Sequence, residues 1–210
     1  FADGPSGLTY YPGTGLGKKY NGTFFLCDFR GDASISGVRS FKLKPAGASF
    51  EMTQPDKFLW NVLATDIEFG PDGGLYATDW IEGWEGVNRG RVVRITNPKL
   101  IDSKQVKNVQ ALLAMDMTQE KPGKLVPRLG NPDRRVRMKT QLELARREAV
   151  GFLARVAKNS SKKRLARMHA IWGLGHVARN TTNARKRRTA VAVLPALMAA
   201  KDPWLRAAVV

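Results

Sequence analysis

The sequence predicts a β-then-α chain, with incomplete antiparallel β-propeller blades over residues 1–98 and an α-solenoid of paired helices over 125–210. Three observations predict it. The first half repeats short apolar runs and Gly-rich turns at intervals of 50 to 60 residues, the period of a propeller blade. The second half places its apolar residues at helical spacing instead. The charge changes at the same place: residues 1–98 hold 10 Lys and Arg against 11 Asp and Glu, while 99–210 hold 25 against 7. The net charge of +17 therefore belongs to the second half.

The strands come first. In DIEFGPDGGLYATDWIEG (66–83), Ile67 and Phe69 alternate with acidic residues, Gly70-Pro71-Asp72-Gly73-Gly74 turns, and Leu75–Thr78 starts a second strand. GLTYYPGTG (7–15) matches DIEFGPDGG (66–74), TFFLCDFRGD (23–32) matches GLYATDWIEG (74–83), and GVRSFKL (37–43) matches GRVVRIT (90–96). The offset is 59 at Pro12 and Pro71 and 53 at Gly37 and Gly90. A blade is a small sheet that buries its faces only against neighbours, and two blades do not close a ring.

Residues 99–124 read as a linker between Asn97-Pro98 and Lys121-Pro122-Gly123-Lys124, with a short helix around Val109–Met115. Beyond it, QLELARREAVGFLARVA (141–157) and RLARMHAIWGLGHVAR (164–179) carry helical periodicity. RMKTQLEL (137–144) matches RMHAIWGL (167–174) at an offset of 30, and NPDRRVR (131–137) and AKDPWLR (200–206) share Asp-x3-Arg. Helix pairs with such a turn resemble HEAT repeats: the carboxylate caps the next helix, and an arginine one turn in is placed to pair with it.

Composition narrows the chemistry. Cys27 is the single cysteine, which excludes a disulfide framework, a cysteine zinc cluster and a Cys-x-x-Cys-His haem attachment within these residues. His169 and His176 lie seven apart in a helical stretch without nearby carboxylates, which suits helix packing or surface better than a metal. No run of about 18 apolar residues exists to span a membrane. The basic runs NSSKKRLAR (159–167) and NARKRRTA (183–190) have no interleaved aromatics, so they read as solvated helix faces that dock an acidic partner or a membrane surface, not nucleic acid.

PSGLTYYPGTGL, FFLCDFRGDASISGVRSFKLKPAGASFE and LATDIEFGPDGGLYATDWIEGWEGVNRGRVVRI, followed by Arg-rich helices, resemble the large secreted membrane-bound-dehydrogenase-like proteins of planctomycete-type bacteria. In these a glucose/sorbosone-dehydrogenase-like propeller precedes HEAT repeats and a c-type cytochrome domain. The resemblance implies that the chain is a fragment holding the last blades and the start of the helical repeats. It places the parent protein in the periplasm or outside the cell. It implies oxidation of a sugar or alcohol, with pyrroloquinoline quinone (PQQ) as hydride acceptor, calcium as Lewis acid, a histidine base upstream of Phe1, and haem c outside this chain.

Two places in the chain bear on that chemistry. Arg30 stands where the family has a cation against the quinone, and Asp66 is the retained residue of an Arg-x-Arg-Asp stretch. Leu63 and Thr65 occupy the arginine positions and carry no charge. An altered, carbohydrate-binding propeller is therefore favoured over PQQ catalysis. Arg30, Asp66 and Trp80 are expected at the lumen-facing end of the ring. Read from the residues alone, Arg30 is equally placed to pair with Asp28 or Asp32. Asp66, Asp72 and Asp79 suit capping of their own turns better than cation ligation. Trp80, Glu82 and Trp84 in DWIEGWEG set aromatic faces beside a carboxylate, the composition of a pyranose site, with blade packing as the competing role. The functional expectation is carbohydrate binding, or sugar or alcohol oxidation linked to a haem domain. The alternative is a non-catalytic scaffold whose basic HEAT surface binds a protein partner.

Overall fold

Side-chain alternation builds the first half. β1 (Pro5–Tyr10), β2 (Thr23–Asp28), β3 (Gly37–Ala46) and β4 (Ser49–Trp60) form an antiparallel meander in that order, and β5 (Ala64–Phe69), β6 (Leu75–Asp79) and β7 (Arg91–Ile95) form a second one. The structure, a computed structural model, describes residues 1–86 and 88–209. The repeated segments occupy corresponding strands: β1 matches β5, β2 matches β6 and β3 matches β7. Phe25 and Cys27 of β2 are buried while Phe24 and Leu26 between them are half-exposed, the period of two that a sheet with one covered face requires.

The sheets share one core. Phe25, Cys27 and Val38 pack with Ile67, Phe69, Leu75 and Ala77, and Phe69 meets Tyr11 and Phe25 edge-on at ring separations of 5.5 and 5.7 Å. Fully buried Phe25 alone contributes about 2–3 kcal/mol of hydrophobic stabilisation. β1 lies against β5 so closely that a Cβ at Gly7 would stand 2.5 Å from the Asp66 Cα, and Thr9 Oγ1 donates to Glu68 Oε1 at 3.0 Å. The Gly70–Gly74 turn forms as expected. Asp72 Oδ1 accepts the Gly74 N–H at 3.1 Å, and Oδ2 takes the Tyr76 hydroxyl at 2.8 Å and Arg94 Nη2 at 2.6 Å.

The chain divides into two compact units, Phe1–Gln110 and Ala111–Val210. α1 (Lys104–Ala114) spans that division. It begins ahead of the expected Val109–Met115 helix, with Ser103 Oγ accepting the Val106 N–H at 3.3 Å. In the second unit α2 (Pro122–Leu125), α3 (Arg134–Arg146), α4 (Val150–Lys158), α5 (Arg164–Asn180), α6 (Ala184–Val191), α7 (Leu194–Met198) and α8 (Pro203–Ala207) follow one another. Leu125, Leu129, Leu144, Leu153, Ile171 and Leu174 make its core, each almost fully buried.

The repeated Asp-x3-Arg turns cap as expected: Asp133 accepts the Arg135 N–H and Asp202 the Trp204 N–H, both at 2.9 Å. The arginine of the motif also reaches back to the turn before the cap. Arg137 Nη1 donates to the carbonyls of Asn131 and Pro132 at 2.7 and 2.8 Å. Arg206 Nη1 does the same to Ala200 and Lys201 at 2.7 and 3.1 Å. A third copy follows without the aspartate: Asn183 caps Arg185 and Lys186, and Arg187 Nη2 reaches the Thr181 carbonyl at 2.6 Å. The guanidinium thus satisfies carbonyls that the preceding turn leaves open. No helix among the described residues is long and apolar enough to cross a membrane.

Candidate functional site

In each sheet the second strand ends in a buried aspartate. Asp28, with a fully buried side chain, accepts the N–H groups of Asp3 and Gly4 on Oδ1 at 3.0 and 3.1 Å. Its Oδ2 takes Arg39 Nε at 2.6 Å and Arg30 Nη2 at 3.0 Å. Asp79 repeats the arrangement, accepting the Leu63 N–H at 2.9 Å and Arg91 Nε at 2.7 Å. The carboxylate pins the lead-in of the first strand and neutralises an arginine of the third. Burial alone would raise the Asp28 pKa, but the hydrogen bonds from Arg30, Arg39, Gly4 and Asp3 outweigh it and hold the carboxyl well below its usual range.

The positions assigned by resemblance have local partners. Arg30 spends its guanidinium on Asp28 and, through Nη1 at 2.7 Å, on Asp3. Asp66 Oδ1 accepts the Ile67 N–H at 2.8 Å and lies near the Cys27 thiol. Burial, helped by the Asp66 charge, pushes that thiol up to about 12, so Cys27 is unreactive. Leu63 is fully buried and Thr65 Oγ1 lies 2.7 Å from Thr78 Oγ1. These four positions present no free cation and do not fit a tricarboxylate quinone, which needs bidentate cationic partners. Among the described residues no group of three or more His, Cys, Asp and Glu is arranged to hold a metal ion. His169, buried on α5, bonds Gln141 through Nδ1 at 2.7 Å; burial and then the Arg137 charge push its pKa down to about 4.

The aromatic motif has a different fate. Phe29 and Trp80 follow the two matched aspartates and stack on each other at 6.2 Å, 12° from parallel. Trp84 stands edge-on to both, 4.8 Å from Trp80 and 6.0 Å from Phe29, yet is 68% exposed. Gly31, in the left-handed region at φ 82°, makes this approach feasible: a Cβ there would lie 3.3 Å from Trp84 Cζ3. Glu82 holds φ 56° without being glycine, a backbone cost of about 1 kcal/mol or more.

Beside Trp84 opens a cleft of about 460 Å³ whose wall includes Asp32, Asn61, Glu82, Glu85 and Arg91. No family model, curated protein or solved structure matches this chain. Its chemistry is therefore read from the cleft itself. Trp84 and Glu82 face the cleft, whereas Trp80 supports Trp84 from behind. Arg30 and Asp66 are not among its wall residues. Asp32 accepts the Ser34 N–H and hydroxyl at 2.8 and 2.6 Å, which lowers its pKa and leaves a fixed acceptor at the rim. Phe29, Gly31 and Asn61 escaped the motif reading. The alignment of Asp28-Phe29 with Asp79-Trp80 carried the signal for Phe29; Asn61 had none.

Proposed function

We propose that this chain is a carbohydrate-binding piece of a larger protein, and that the cleft beside Trp84 takes a sugar. The observation that carries the reading is an indole two-thirds exposed yet held by two further rings, with carboxylates and an amide along the adjoining wall. A pyranose offers one such wall an apolar C–H face and hydroxyl groups around it. Carboxylate oxygens of Asp32, Glu82 and Glu85 accept from those hydroxyls, and the Asn61 amide both donates and accepts.

On this reading the two meanders are consecutive propeller blades, the second unit is the start of a HEAT-like stack, and the parent protein is periplasmic or extracellular. Sugar or alcohol oxidation with PQQ, calcium and haem c belongs to other parts of that parent. Its support is the resemblance of residues 5–95; the misfit of Arg30, Leu63 and Thr65 to the quinone is what keeps catalysis away from this chain. A glycan array tests the binding reading with the full chain beside Trp84→Ala. The chain should retain a subset of neutral glycans, and the variant, folded by circular dichroism, should lose about tenfold in affinity. Equal binding by the two proteins, or none by either, would refute it.

A further inference from the structure

Helices α4 and α6 flank an open groove of about 570 Å³. Its floor is apolar, formed by Ala149, Val150, Gly151 and the ring of Phe152. A Cβ built on Gly151 would meet nothing within 4 Å, so the floor has room for another apolar group. The rim is cationic. Arg155 and Arg185 line it and are exposed, and among the described residues neither is ion-paired.

Several cations of this unit have local work. Arg137, Arg147, Arg167, Arg187 and Arg206 hold backbone carbonyls, and Lys186 meets Glu148 at 2.6 Å. Arg155 and Arg185 have no carboxylate partner among the described residues and stand exposed at the edges of an apolar trough. We infer that this groove docks an acidic peptide segment of a partner protein, one with a large apolar side chain between carboxylates. The apolar side chain covers the floor over Gly151, and the carboxylates reach the two guanidinium groups. Nucleic acid fits less well, because the ring available for base stacking, Phe152, already has Arg155 over it at 5.7 Å. A membrane surface is flat and leaves a concave floor uncovered.

Fluorescence anisotropy of the full chain tests this with labelled 12-residue peptides carrying Leu or Phe between Asp and Glu. Binding should weaken as salt rises, and Arg155→Ala and Arg185→Ala should each cost roughly threefold. Replacing the central Leu by Gly should cost about tenfold, because its burial is lost. Gly151→Leu fills the floor at a helical position where leucine is better tolerated than glycine, so it should fold and bind at least tenfold more weakly. Absence of peptide binding would overturn the inference. So would affinity indifferent to these changes, or tighter binding of a single-stranded oligonucleotide or of phosphatidylserine vesicles than of the peptides.

Discussion

Asp28 joins three separate segments of the sheet unit: the start of β1 through Asp3 and Gly4, the loop after β2 through Arg30, and β3 through Arg39. Asp28→Asn would leave Arg39 without its charge partner and Arg30 with Asp3 alone, and should cost about 3 kcal/mol in urea denaturation followed by tryptophan fluorescence. Its depressed pKa fixes the direction with pH. The ionised carboxylate contributes its full stability above the unfolded value of about 4, and this is lost as pH falls through that value towards the lower folded one. The unsubstituted chain should therefore lose stability below pH ~4 more steeply than the variant. An unchanged denaturation midpoint in Asp28→Asn would show that the network carries no net stability. The sequence offers Asp28, beside Asp32, as a partner for Arg30. Its backbone acceptor role was not legible, because Asp3 and Gly4 lie some 25 residues away and carry no mark of it.

At the scale of elements, helix α5 packs His169 neutral against Gln141 and Trp172. A histidine held down at about 4 takes up its proton more readily unfolded than folded. Its contribution is thus complete above pH ~6.5 and falls away as pH drops towards 4. Up to about 3 kcal/mol of helical-unit stability should disappear over that window. Thermal melts followed at 222 nm should show it, and His169→Gln, which keeps a hydrogen bond to Gln141 without titrating, should flatten the dependence. Equal pH slopes in both proteins would assign the loss to other groups. Strands with one covered face, β2, β5 and β6, announced themselves by alternation. β4 did not: most of its residues are exposed, Pro55 interrupts it and Gln54 turns to φ 51°, so no apolar period marks it. The helical caps were legible as Asp-x3-Arg, while the carbonyl-binding role of its arginine depends on a turn geometry that spacing cannot express.

Across the whole molecule, two chemistries share one chain. The near-neutral sheet unit holds an aromatic and acidic cleft, and the strongly basic helical unit holds a groove whose two exposed guanidinium groups have no carboxylate partner among the described residues. The charge division and the Trp80-Glu82-Trp84 cluster were both visible in the sequence, since each is local. The quinone-facing wall was not: Leu63 is core and Arg30 is consumed by aspartates, facts set by tertiary packing. The remaining cleft residues Asp32 and Asn61 reach Trp84 from segments far from it in sequence. The chain's five tryptophans give the sugar-site claim its most direct test. In ¹H–¹⁵N spectra of the full chain titrated with an array-positive oligosaccharide, the Trp84 indole N–H should shift most and Trp80 less, with Trp172 and Trp204 unmoved. Saturating shifts at Trp172 or Trp204 with Trp84 unchanged would contradict the assignment of the cleft.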